Sequence, residues 1–231
     1  MPTITLKHLR KNYLNQQILN LPALILPNHQ ITAITGPTGA GKSTLLNLIA
    51  GYQTPDAGQI YFDQQLVFNS QHQFSLQPTE RRVAMLCHDF AFWPHMTVRE
   101  NIAFPLWNQL PPLVVKQRVN RYLNLLDLQD HQNSYPGELS PIQKQHLALA
   151  RVLATQPAVL IFNEVLSLGN LALAQHLRQT LTTLARQLAV TTIIVTTSDQ
   201  VAMQVADYAV QLRQGHLQQA GIAKKLVITA N

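Results

Sequence analysis

Charged side chains are scarce, at 12% of 231 residues against about 25% in typical soluble domains. Gln and Asn supply much of the polar surface instead. The charge that is present leans basic, with 17 Lys and Arg against 11 Asp and Glu, a net charge of +6. The basic residues do not cluster, however: the longest basic runs are the pairs Arg81-Arg82 and Lys224-Lys225. Without a basic patch or arm to neutralise phosphates along a polymer, a nucleic-acid partner is not expected. A single cysteine, Cys87, excludes an internal disulfide and fits a reducing compartment. With its neighbour His88 it offers too few ligands for a zinc site. No run of about 18 apolar residues occurs, and Met1 to Lys7 lacks the basic-then-apolar order of a secretory leader. The expectation is a cytoplasmic protein that reaches a membrane only through a partner.

One local motif carries chemistry. Gly36, Pro37, Thr38, Gly39, Ala40, Gly41, Lys42, Ser43 and Thr44 fit the phosphate-loop pattern G-x-x-x-x-G-K-[ST]. The run lies between a strand-like stretch, Ile31 to Thr35, and a helix-like one, Ser43 to Ala50. Glycines let the backbone curl so that its N–H groups and the helix N-terminus face the β-phosphate. Lys42 adds a point charge, and the Ser43 hydroxyl suits Mg²⁺. A nucleoside triphosphate is the ligand this pattern predicts.

At 46% hydrophobic residues the chain can bury a core for one large domain, or a core with a subdomain. Ile4 to Leu9, Ile18 to Leu26, Ile31 to Thr35 and Gln59 to Phe68 read as strands. From about Thr97 the apolar residues take helical spacing, as at Val115, Val119, Leu123 and Leu126. Ala158 to Phe162 and Thr191 to Thr196 read as buried strands flanking a helix over Leu171 to Leu188. This alternation implies an α/β fold with a mostly parallel sheet.

Three further segments fall in a fixed order: Phe92 to Phe104, Pro136-Gly137-Glu138-Leu139-Ser140, and Leu147 to Ala154. With the phosphate loop, they make essentially the whole chain resemble the ATP-binding subunit of an ATP-binding-cassette (ABC) transporter. The resemblance implies a P-loop NTPase core with an N-terminal antiparallel β subdomain and an inserted α-helical subdomain. Residues 1–88 and 157–231 would form the core, and about 89–156 the helical part. Glu80-Arg81-Arg82-Val83-Ala84-Met85 followed by Trp93 to Val98 is most similar to importer subunits for ferric iron, molybdate, sulfate or polyamines. The chain ends soon after the cassette, so the C-terminal regulatory domain of many such subunits is expected to be absent. The partners implied are an integral membrane permease, a second ATP-binding subunit and, indirectly, an extracytoplasmic solute-binding protein, with the chain on the inner face of the membrane. The permease would meet the surface around Phe90 to Asn101.

Roles follow position by position from the same resemblance. Tyr13 would stack on adenine, or else simply pack in an N-terminal hairpin. Glu164 holds the place of the catalytic glutamate, or else is an ordinary Glu at a strand end. Asn163 replaces the aspartate that helps hold Mg²⁺, and His88 replaces a glutamine. Thr197 stands where a histidine touches the γ-phosphate; shifting the alignment by one gives Ser198. Leu139-Ser140-Pro141-Ile142-Gln143 replaces Leu-Ser-Gly-Gly-Gln, whose Ser140 position faces the nucleotide of the opposing subunit. Both halves of a composite site are thus altered. The implied function is an importer subunit that binds ATP well and hydrolyses it weakly or not at all; the other reading is a regulatory or scaffold module that binds nucleotide without turnover.

Overall fold

The computed structural model describes residues 1–14, 16–87, 90–163 and 171–226, the side chains of 171–173 excepted. Two sheets organise it. The first has strand order β2-β1-β4-β5-β6 and is antiparallel, built from β1 (Ile4–Tyr13), β2 (Gln16–Leu26), β4 (Ala57–Phe62), β5 (Gln65–Asn69) and β6 (Phe74–Ser75). The second has the order β11-β10-β3-β9-β8-β7. Its members are β3 (Ile31–Thr35), β7 (Val83–Cys87), β8 (Val159–Asn163), β9 (Thr191–Val195), β10 (Tyr208–Arg213) and β11 (His216–Ile222). All its pairings are parallel except β10 with β11. Every residue of β3 and β9 is buried, as expected for parallel strands covered on both faces.

The period-2 alternation of these strands divides the interior. Leu160, Phe162 and Ile194 face one core with residues of α2 (Val98–Ala103), α3 (Pro112–Leu125), α4 (Pro141–Ala154), α5 (Leu171–Leu188) and α6 (Asp199–Val205). Val159, Ile161, Ile193 and Val195 face the other, with α1 (Lys42–Ala50) and the antiparallel sheet. The helical segment 98–154 therefore shares its core with α5, α6 and one face of the parallel sheet.

Two strand boundaries differ from the sequence reading for physical reasons. Gln59 to Phe68 is a hairpin, β4 and β5, turned at Asp63, which takes φ 52° and accepts a 2.8 Å hydrogen bond from Thr3 N. Strand β1 runs past Leu9 to Tyr13 although Arg10, Lys11 and Asn12 carry no apolar pattern. Pairing with β2 sustains it, and Lys11 is tied to Asp56 at 3.0 Å. This extension carries Tyr13 to the strand's end. Among the described residues no helix is long and apolar enough to cross a membrane.

Candidate functional site

Strand register assembles the site. Strands β7, β8, β9 and β3 are parallel, so their C-terminal ends share one edge. Cys87 pairs with Asn163, Asn163 with Val195, and Val195 with Ile34. Two strand spacings of about 4.8 Å put Asn163 roughly 10 Å from the strand that feeds the phosphate loop. Ligands of open parallel sheets lie outside this edge.

The loop itself is held from below. Gly36 has φ 140°, and a Cβ there would lie 2.1 Å from the backbone oxygen of Leu212 in β10, so a side chain is excluded. Gly41, at φ 93°, is the N-cap of α1 and supplies no side-chain cap. The first-turn N–H groups are left to an external acceptor, as at anion-binding helix ends. Lys42 is 5% exposed, and its Nζ donates to the carbonyls of Gly36 (2.7 Å) and Pro37 (2.9 Å). The ammonium is thereby held against the backbone of the loop. Pro37, Thr38 and Gly39 form the exposed tip and Ala40 is buried, while Ser43 is exposed and Thr44 half-buried in the first turn of α1.

Tyr13 is 44% exposed, with the Lys11 ammonium 5.6 Å from its ring centroid. It pairs with Gln16, and two residues further along β2 the Ile18 oxygen lies 3.0 Å from where a Cβ on Gly41 would sit. The hairpin end therefore stands beside the phosphate loop with an open aromatic face. An exposed ring in that place leaves an apolar face on which a base could stack.

At the end of β8, the Asn163 side-chain oxygen is buried and has no hydrogen-bond partner among the described residues. A buried, unsatisfied amide oxygen is costly without a ligand. An ion carried on a triphosphate would meet oxygen donors here, Asn163 Oδ1 and the Ser43 hydroxyl. Oxygens suit Mg²⁺, so the residues fit the ion, although both donors are neutral. Glu164 and His88 lie outside the described residues.

At the end of β9, the Ser198 hydroxyl caps α6 by accepting from Val201 N at 3.3 Å. The Ser198 N–H donates to Thr196 Oγ1 at 3.1 Å. Thr197 lies exposed between them. Ser140 belongs to a different surface, the start of α4. There it forms a capping box with Gln143, at 3.3 Å and 2.8 Å, and Pro141 occupies the first helical position. That arrangement explains how a helix begins without the expected glycines. Ile142 remains 40% exposed beside it.

Two residues whose roles the sequence did not reveal organise the segment leading to α2. Asn101 is fully buried; its amide donates to the carbonyls of Trp93, Met96 and Thr97 at 2.9–3.1 Å and its oxygen accepts from Trp93 N at 3.1 Å. Arg151 of α4 donates to the carbonyls of Ala91 and Phe90. Its guanidinium also lies 5.4 Å and 5.0 Å from the rings of Phe92 and Trp93. Phe90 and Ala91 both have positive φ, 51° and 40°, a strained pair that this Arg holds in place. The signal in sequence was only an Asn and an Arg inside recognisable segments; their acceptors are set by folding.

Comparison with known proteins agrees with this geometry. A family model described as ABC transporter matches residues 19–167, more than half of the chain. A probable sulfate/thiosulfate import ATP-binding protein of Chlorella vulgaris is 36% identical over 97% of this chain and 93% of its own length. A spermidine/putrescine import ATP-binding protein of Thermotoga maritima is 35% identical over 94% of this chain, which spans 58% of that relative. In fold, cbiO1 of Clostridium perfringens, part of the ABC transporter complex cbiONQ, matches with a TM-score of 0.86 at 23% identity, covering 97% of this chain and 90% of that one. With a phosphate loop at the C-terminal edge of a parallel sheet, an antiparallel sheet beside it and helices inserted before β8, the chain belongs to the ABC transporter family, as one of its ATP-binding subunits.

Proposed function

We propose that the chain binds MgATP at the strand-end site and couples that binding, with slow hydrolysis or none, to a membrane permease importing an inorganic ion or small solute. The import assignment rests on relatives named for sulfate/thiosulfate and spermidine/putrescine import. The observation that carries the nucleotide reading is Lys42, buried on the loop carbonyls. It opens α1, after the loop that follows β3, and β3 lies two strands from β8, which ends in the neutral Asn163.

In this reading Tyr13 stacks on adenine, residues 36–44 cradle the phosphates, and Ser43 and Asn163 hold Mg²⁺, whose charge would neutralise the phosphate oxygens. Glu164 orients water, and His88 and Thr197 stand near the γ-phosphate. Ser140 meets the nucleotide of a second ATP-binding subunit. The chain then sits peripherally on the inner face of the membrane, with a solute-binding protein acting on the far side. Steady-state ATPase assays, alone and with the permease, test this. Low turnover that Glu164→Gln abolishes is expected; tight MgATP binding without turnover in any assembly would favour the regulatory reading, and no ATP binding would overturn both.

The permease would dock at the aromatic surface where Trp93 meets Phe104 at 4.5 Å and Phe104 meets Trp107 at 5.3 Å. Phe104 and Trp107 are 39% and 48% exposed, and a groove of about 670 Å³ opens beside Trp107 and Leu110. Interface aromatics of this kind carry roughly 2 kcal/mol or more each. Trp93→Asp is expected to weaken permease association at least ~30-fold while ATP affinity stays within about twofold. Co-purification and nucleotide titration of the same variant check this; equal loss of both properties would count against the docking surface.

A further inference from the structure

Arg81, within the Glu80-to-Met85 run, is 2% exposed. Among the described residues the ion pairs are Lys11 with Asp56 and Arg186 with Asp207, so no described carboxylate balances its guanidinium. Its partners are backbone and hydroxyl oxygens. Nη1 donates to the carbonyls of Leu48 (2.7 Å) and Ile49 (3.0 Å), Nε to the carbonyl of Leu76 (3.0 Å), and Nη2 to Ser75 Oγ (3.1 Å). Leu48 and Ile49 are in the last turn of α1, whose final carbonyls have no partner inside the helix. The neighbouring Asn47 carbonyl is taken by Gly51 N at 3.0 Å and Gln53 N at 3.2 Å. Arg81 therefore completes the C-terminal cap of this helix and places its cation at the negative end of the helix dipole. Burial lowers its pKa to about 10, so it stays protonated at neutral pH. Even the space is prepared: a Cβ on Gly51 would lie 2.8 Å from Arg81 Nε.

The other end of this nine-residue helix, about 13 Å away, is the phosphate loop. We propose that Arg81 is a positioning residue for the nucleotide phosphates. By clamping the last turn of α1 to Ser75 and Leu76 at the edge of the antiparallel sheet, it fixes the helix axis, and with it the direction in which the first-turn N–H groups and Lys42 face. A rigid helix pinned at both ends cannot tilt; pinned only at the loop, it can. This rests on the ATP-binding reading above.

The discriminating readout is selectivity for phosphate number. AMP lacks the β- and γ-phosphates that the loop cradles, so loosening α1 weakens ATP and leaves AMP almost unchanged. The full chain with Arg81→Met loses the fork and its charge at similar bulk. Arg81→Lys keeps the charge but cannot hold acceptors on both elements with one ammonium. Binding of MgATP and AMP is measured by competition against a fluorescent ATP analogue, at a temperature where melting curves show each variant folded. The ATP Kd is expected to rise about tenfold in Arg81→Met and about three- to fivefold in Arg81→Lys, with AMP within about twofold, so the ATP-to-AMP preference falls. If Arg81→Met does not fold, Arg81→Lys carries the test. An unchanged preference in the folded variants, whatever their melting temperatures, would overturn the inference alone. An unaltered chain that binds no ATP would overturn the nucleotide reading and this inference with it.

Discussion

Lys42→Ala is expected to weaken MgATP binding by at least ~100-fold. A buried ammonium about 4 Å from a phosphate charge is worth roughly 4 kcal/mol at an effective dielectric of 20, and about 2.7 kcal/mol already corresponds to a hundredfold. The alanine variant also leaves the carbonyls of Gly36 and Pro37 without the donors they have at 2.7 Å and 2.9 Å. The loop loses its counter-charge and its internal brace together. Calorimetric titration with MgATP measures the first loss, and a melting curve without nucleotide measures the second. An affinity within about threefold of the unaltered chain would show that the phosphates do not sit over this loop.

The second large effect is a gain. Asn163→Asp combined with Thr197→His is expected to raise steady-state ATP turnover at least ~30-fold, since one well-placed polar group near a developing charge is commonly worth 10²–10³. Asn163→Asp alone is expected to lower the Mg²⁺ concentration needed for half-maximal ATP binding about tenfold, because a carboxylate adds charge where the neutral amide adds none. The same change is expected to lower the melting temperature in chelator by several degrees, with recovery in MgATP. The Asn163 oxygen is buried with no described partner, and a carboxylate put there needs a cation beside it. Turnover unchanged in the double variant, with no Mg²⁺ dependence of melting, would place the metal elsewhere.

Much of this could be read before folding, and the reasons differ by element. The strands over Ile31–Thr35 and Thr191–Val195 were legible as short apolar runs, because parallel strands covered on both faces leave no other composition. Helix Leu171–Leu188 was legible from its spacing. The polar half of β1 was not, because Arg10 to Tyr13 are held by a ladder to β2 that no local pattern announces. Nor was the hairpin at Asp63, where one residue at φ 52° divides what reads as a single strand. The ambiguity between Thr197 and Ser198 could not be settled from residue types, since both bear hydroxyls. Folding adds a difference between them: the Ser198 hydroxyl caps α6, while Thr197 stays exposed.

What the sequence determined by itself is the phosphate loop and, with the ordered segments Phe92 to Phe104, Pro136 to Ser140 and Leu147 to Ala154, the family. The loop's chemistry is local: glycines that can take positive φ, a lysine and a serine, contiguous between a strand and a helix. What only the tertiary structure decided is how the surrounding residues reach that loop. Asn163 and Thr197 come to its edge through the register of β8, β9 and β3, Tyr13 comes beside it through the hairpin of β1 and β2, and Arg81 comes under the far end of its helix. Hydrogen bonds between residues far apart in the chain fix these placements, and no window of sequence contains both partners.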